Sequence, residues 1–282
     1  MEASKKLIKD FHASNKIRVW SLVITIFGDC INLRGGRIAM AELQNLTNLL
    51  QIEPGTLRTA MSRLAKERWL TREKVGRNSY YKISDKGLRS FSEPTIRIYA
   101  KNRISEPKKF FIGIRELGPG AHKPGYEEFL ARTNSIALSK QVFITSFEAS
   151  LDTYLRDENI FLLQASKHNM PYWVKSLIYP SIIKSNLLEF MKKFHPLDLE
   201  LTNKPCSAKE ALIIRILLIH EWRRIILKIP PNPSNFEDDD WPLENCRSLV
   251  ASIYSKVSLK SEDWWGIPLS EKQELELKKR FK

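Results

Sequence analysis

Between Thr56 and Lys66 hydroxyls and cations recur at helical spacing, and more cations follow a few residues later. Thr56, Arg58, Thr59, Ser62, Arg63 and Lys66 form the first set; Arg72, Lys74, Arg77 and Asn78 form the second. These residue types recognise polyanions rather than break bonds. Arg offers a planar fork to a phosphate or a guanine edge, while Ser, Thr and Asn bond base edges and backbone oxygens. Nothing beside them supplies a nucleophile with a base. His12, His122, His168, His195 and His220 are scattered, none at ligand spacing from another. Cys30, Cys206 and Cys246 are odd in number and far apart, with no C-x-x-C. They read as three reduced thiols rather than a zinc site or a disulfide framework. There is no Gly-rich phosphate loop and no G-x-S-x-G elbow, and Gly118-Pro119-Gly120 reads as a turn. No catalytic residue, metal or cofactor is expected, and the chain does not read as an enzyme.

The elements that must position these residues are legible. Leu57, Ala60, Met61, Leu64 and Ala65 share one helical face, with the polar set on the other. Pro54 suits the first turn, where its missing N–H costs nothing, and Thr56 is placed to cap. Upstream, Met40, Leu43, Leu46, Leu49 and Leu50 stripe a second helix over Ala39 to Leu50. Two short helices and a tight turn make a helix-turn-helix, whose second helix presents its N-terminal residues to base edges. Those are Thr56, Arg58 and Thr59, with Ser62 and Arg63 one turn later. After Trp69 the period changes to that of a two-stranded ribbon, with Gly76-Arg77-Asn78-Ser79 as its tip. Gly76 and Asn78 tolerate the positive φ of a tight hairpin. Trp69, Leu70 and Tyr81 read as core. Basic outer faces and Arg at hairpin tips are often merely solvated; it is the order helix, helix, basic hairpin that points to DNA.

Composition agrees. The formal charge is +14, and residues 1–92 hold 17 Lys and Arg against 8 Asp and Glu. Such a surplus favours a polyanion partner. A membrane is not expected to be that partner. The longest apolar runs, Val19 to Phe27 and Ala211 to Ile219, are short, and Arg215 breaks the second. The opening M-E-A-S-K-K-L-I-K-D-F lacks a secretory core, so a soluble cytoplasmic protein is expected.

Elsewhere, Val19 to Cys30 reads as one buried helix, Arg37 to Ala39 as a short strand, and residues before Lys16 as a small helix or frayed arm. Asp85 is expected to cap a brief helix through Phe91, and Ser92 to Lys109 to form a linker with some helix. Phe110 to Arg115, Ile136 to Thr145 and Ile160 to Gln164 read as strands, with a loop at 117–123 and helices at 126–133 and 150–156. Pro180 to Lys193, Ala208 to Leu227 and Trp241 to Ser258 read as helices. Asn232 to Asp240 reads as an acidic loop, and the charged final helix as solvated. The fold class is α+β in three parts: a winged helix-turn-helix over 1–92, a linker and small α+β sandwich over 93–170, and a helical domain over 171–282.

A resemblance now becomes specific. S-L-V-I-T-I-F-G-D-C (Ser21 to Cys30), R-G-G (Arg34 to Gly36), L-R-T-A-M-S-R-L-A-K-E-R-W-L (Leu57 to Leu70) and V-G-R-N-S-Y-Y-K-I-S (Val75 to Ser84) resemble the N-terminal domain of the PaaX family. I-H-E-W-R-R (Ile219 to Arg224), then P-P-N-P and D-D-W-P (Asp239 to Pro242), resemble its C-terminal domain. The resemblance implies a ferredoxin-like middle domain and a homodimer on a palindromic double-stranded DNA operator. It also implies repression of an aromatic-acid operon of the phenylacetate type, relieved by an aryl-CoA thioester such as phenylacetyl-CoA. One departure is clear: Ser105 to Ile112 (S-E-P-K-K-F-F-I) lacks the W-x-G-x-W of the family's linker.

The segment His220, Trp222, Arg223, Arg224 allows two readings. The arginines could hold the phosphates of a CoA-like effector with Trp222 stacked on a ring. Alternatively, Trp222 fills a core and the cations end a long helix. Two other functions remain open. One is metal-dependent or acyl-CoA-related chemistry on the middle domain, for which Glu116 is the single carboxylate after the first strand. The other is a basic protein that coats nucleic acid without sequence choice.

Overall fold

The computed structural model describes residues 2–13, 18–100, 110–116, 129–130, 133, 135–145, 160–165, 171–178, 180–229 and 241–282. The protein is α+β, with two small antiparallel sheets among many helices. Two compact units divide the chain, and neither follows chain order. The first comprises Met1–Asn102, Glu189–Ile226 and Glu244–Lys282; the second comprises Arg103–Leu188 and Leu227–Leu243.

In the first unit α1 (Glu2–Ala13) buries Leu7, Ile8 and Phe11 and packs on α8 (Ala208–Ile226), so it is no frayed arm. The apolar α2 (Val19–Ile26) is buried nearly all round. It is shorter than Val19 to Cys30, because the helix widens to a π turn over Phe27–Ile31 that carries the buried Asp29. Next come β1 (Arg37–Ala39), α3 (Met40–Leu49), α4 (Pro54–Lys66), β2 (Leu70–Val75) and β3 (Asn78–Ile83), the strands ordered β1-β3-β2. Leu43, Leu46 and Leu50 of the first helical stripe, and Leu57, Met61 and Leu64 of the second, are buried as their spacing predicts.

Several local expectations are corrected. Glu53, not Thr56, holds the N-cap position of α4, and no side chain caps it. Pro54 starts the helix, which leaves Thr56 inside the first turn. At the hairpin tip only Gly76 has positive φ, at 60°; Asn78 is already strand, paired with Val75. A Gly at the first central position of a two-residue loop suits the right-handed strand twist. Ser84, rather than Asp85, caps α5 (Asp85–Tyr99) by accepting from the Gly87 N–H at 3.0 Å. That helix continues past Phe91 and Pro94 to Tyr99, which supplies the helix expected within 92–109; residues 101–109 lie outside the described residues.

In the second unit β4 (Phe110–Arg115), β5 (Ile136–Ala137), β6 (Val142–Thr145) and β7 (Ile160–Ala165) form a sheet in the order β5-β6-β4-β7, antiparallel throughout. One face packs Ile144 against Val174 and Ile178 of α6 (Tyr172–Ile178). The other packs Phe143 against Phe129, Leu130, Ile160 and Leu162. Gly113 pairs with Phe143, and a Cβ there would lie 2.2 Å from the phenyl ring. Of the expected helix at 126–133, Phe129 and Leu130 are helical. The expected helix at 150–156, the loop at 117–123 and the acidic loop at 232–240 lie outside the described residues.

α7 (Ser181–Asn203) runs longer than Pro180 to Lys193 and carries Pro196 inside it. α9 (Leu243–Glu262) also outruns its expected end. α10 (Glu271–Lys278) has a capping box between Ser270 and Gln273. Its end is not simply solvated: Leu277 and Phe281 are buried, and Gln273 donates to the Leu33 carbonyl at 2.9 Å. The three cysteines are free. Among the described residues no helix is long and apolar enough to cross a membrane.

Candidate nucleic-acid interface

All ten residues picked out for DNA are exposed, on α4 or on the β2–β3 hairpin. A cleft of about 670 Å³ opens between them. From α4, Arg58, Ser62 and Ala65 form one wall, because they recur every three or four residues on one side of the helix. Arg72, Arg77 and Asn78 of the hairpin form the opposite wall, and Met40, Ala41 and Gln44 of α3 close one end.

The hairpin's own register explains its wall. Arg72 lies opposite Tyr81 and Lys74 opposite Ser79, so both cations share the sheet face that carries Tyr81. Of these two cations Arg72 lines the cleft and Lys74 lies outside it. Arg72 is steadied by donating from Nη2 to the Ser79 hydroxyl at 2.9 Å. The opposite face carries Arg37, stacked 3.8 Å over the Tyr80 ring and paired with Glu73 at 3.0 Å.

No carboxylate lines the cleft. Among the described residues Arg58, Lys66, Lys74 and Arg77 have no ion-pair partner, so their charge is available to an anion. The ten residues are not equivalent. Thr56, Thr59 and Lys66 lie outside the cleft, and the Thr59 hydroxyl donates back to the Gly55 carbonyl at 3.0 Å. Arg63 also lies outside it. Its guanidinium sits 4.7 Å over the Trp20 ring and bonds Glu67 at 2.7 Å. Residues that sequence reasoning missed are Gln44 and Ser79 in the cleft and Arg37 behind it. Register gives Ser79 and Arg37 once the strand pairing is known; nothing local marks Gln44.

The angle between α4 and the hairpin is fixed at its base. The Ser84 hydroxyl donates to the Arg68 carbonyl at 2.5 Å, and the Ser84 N–H donates to the Trp69 carbonyl at 3.0 Å. Behind the interface, α8 holds α2. Arg215 donates to Asp29 through Nε at 2.6 Å, and its other donors meet Ser261, Glu262 and the Asp29 carbonyl. Arg280 donates to the same Asp29 carboxylate at 2.6 Å, and the Tyr99 and Tyr254 hydroxyls donate to it as well. Burial alone would raise the Asp29 carboxyl, but the two guanidiniums and two hydroxyls outweigh it and hold it below the ordinary carboxylate value.

The H-E-W-R-R segment sits in this buttress. His220 Nδ1 lies 3.0 Å from the Thr25 hydroxyl, and burial, with Arg223 and Arg224 near, pushes its imidazole down to about 3. Trp222 is buried and its Nε1 donates to the Ile98 carbonyl at 2.9 Å. Arg223 donates to the Ser21 carbonyl and the Thr25 hydroxyl, both at 3.0 Å. Of the four, Arg224 is exposed. No group of three or more His, Cys, Asp or Glu fit to hold a metal occurs among the described residues.

Residues 18–87 match the family described as PaaX-like protein, and residues 181–266 match the PaaX-like protein C-terminal domain. The transcriptional repressor PaaX of Escherichia coli (strain K12) is 27% identical over 263 residues, which cover 88% of this chain and 83% of that one. A solved structure, the uncharacterized protein Rv0674 from Mycobacterium tuberculosis, is similar over 78% of this chain and 90% of its own. Its identity is 15% and its TM-score 0.42.

Proposed function

The chain belongs to the PaaX-like family, and from that premise we propose that it is a transcriptional regulator that binds double-stranded DNA and represses. The observation that carries this reading is the carboxylate-free cleft between α4 and the β2–β3 hairpin, walled by Arg58, Arg72 and Arg77. In this reading residues 1–92 are a winged helix-turn-helix. α4 enters the major groove, and the hairpin is the wing. Thr56, Arg58, Thr59, Ser62, Arg63, Lys66, Arg72, Lys74, Arg77 and Asn78 contact the duplex.

The order β5-β6-β4-β7 supports a ferredoxin-like reading of the middle region, because it is the order of a split β-α-β sheet. We further propose a homodimer on a two-fold operator of an aromatic-acid catabolic operon, released by an aryl-CoA thioester. The similarity to a named repressor supports this function class. His220, Trp222 and Arg223 are read as structural, because their polar atoms are already engaged with α2 and α5.

A titration of the full chain on the DNA upstream of its own gene, with and without phenylacetyl-CoA, tests the effector. Release of bound DNA by the thioester supports it. Specific binding that ignores phenylacetyl-CoA and every other aryl-CoA rejects the effector while leaving the repressor.

A further inference from the structure

The sequence places Arg58 among the residues nearest the base edges, because it lies in the first turns of α4. The structure turns it elsewhere. Arg58, Ser62 and Ala65 face the hairpin across the cleft, whereas Thr56, Thr59 and Lys66 do not line it.

Duplex geometry gives that cleft an occupant. The major and minor grooves of B-DNA are separated by one sugar-phosphate backbone. A protein that inserts a helix into one groove and a hairpin tip into the next must seat the intervening backbone between them. The cleft has the required chemistry. Three arginines line it, the small side chains Ser62 and Ala65 line its α4 side, and no carboxylate lines it to oppose a phosphate. Arg58 and Arg77 have no ion-pair partner among the described residues, and Arg72 is pre-oriented by Ser79. A base edge would reward one guanidinium in a fixed plane; three arginines lining one cleft from a helix and a hairpin suit a phosphodiester.

We propose that the cleft between α4 and the hairpin clamps one strand's phosphodiester backbone, with Arg58 and Arg72 as its two jaws. Sequence reading is then left to the exposed face of α4 outside the cleft. This rests on the DNA-binding reading above but assigns Arg58 a different role.

The test uses the full chain and two duplexes: one selected by the chain from a random library, and a scramble of it. Arg58→Gln and Arg72→Gln should each lower affinity for both duplexes by a similar factor. Each should also reduce the slope of log affinity against log salt by about one, since each phosphate contact contributes roughly 0.9. Reselection with Arg58→Gln should return the same preferred sequence. Ser62→Glu, which places a carboxylate in the cleft, should abolish binding to both duplexes with the circular dichroism spectrum unchanged. If Arg58→Gln keeps the salt slope and the scrambled affinity but relaxes preference at one base pair, Arg58 reads a base and the clamp is wrong. If the chain selects no sequence, yet Arg58→Gln still lowers the slope, the clamp stands and the regulator reading fails. If the chain binds neither duplex, both fail.

Discussion

The Asp29 carboxylate accepts from Arg215, 186 residues further along the chain, at 2.6 Å, with the two side chains 1% and 0% exposed. This pair joins the π turn behind α2 to the middle of α8. Arg280, Tyr99, Tyr254 and Glu262 complete a buried cluster in which each charge has an opposite partner. α2 in turn packs against α4. The buttress therefore holds the helix that presents the residues proposed to contact DNA.

Breaking one partner of such a cluster is costlier than the cluster is worth, because a buried guanidinium is left uncompensated. Asp29→Ala should lower unfolding stability by ~3–5 kcal/mol in urea denaturation. Its pH dependence has a definite sign. The folded carboxyl titrates below the ordinary value of 3.8, so its contribution is complete above that value. It is lost as pH falls through the folded value. The wild-type and Asp29→Ala stability curves should therefore converge toward acid and separate above about pH 4.

His220 gives a second, separate pH window. Its imidazole is held neutral, with its titration moved from 6.5 to about 3. The unfolded chain binds the extra proton first, so stability is full above about pH 6.5 and falls by up to ~1.4 kcal/mol per unit down to about pH 3. His220→Gln should flatten that slope in the pH 4 to 6.5 region by about one proton. An imidazole NMR titration of His220 near its ordinary value would contradict this.

Much of the candidate site was legible in the sequence, because it rests on local periodicity. The apolar faces at Leu57, Met61 and Leu64 and the hairpin at Gly76 depend on neighbours a few residues away, whereas the short strand at Arg37 to Ala39 pairs with the distant Tyr80 to Lys82. The buttress was not legible, because its partners are distant in the chain. Two marks of it were visible: Arg215 inside an apolar run, and Asp29 at the end of another. Neither names its partner. The charged ending misled for the same reason, since Arg280 and Phe281 follow a polar run yet meet Asp29, Tyr99 and Tyr254. The cleft needed strand register, which composition does not carry.

Trp222→Phe separates a core role from an effector role. Losing the Nε1 donor to Ile98 should cost ~1–2 kcal/mol of stability with no ligand present. A residue that only stacked on an effector would leave the free protein's stability unchanged on the same substitution.

Gly87 is fixed by close approach at the base of the hairpin. A Cβ there would lie 2.6 Å from the Trp69 carbonyl oxygen and 2.9 Å from Ile83 Cγ2. Gly87→Ala should cost ~1–3 kcal/mol by forcing the start of α5 away from the end of α4. Because that junction joins α4 to the hairpin, whose arginines form the two walls of the cleft, DNA affinity and the salt slope should both fall. Lower affinity at an unchanged salt slope would mean that the junction does not hold the two walls of the cleft.

A repressor of the proposed kind reads a DNA sequence. The most direct measurement is the ratio of affinities, at physiological salt, for a duplex selected from random sequence and for its scramble. A sequence-specific regulator predicts a ratio of ~10³ or more. Equal affinities would contradict the account and leave a basic protein that coats nucleic acid without choosing a sequence.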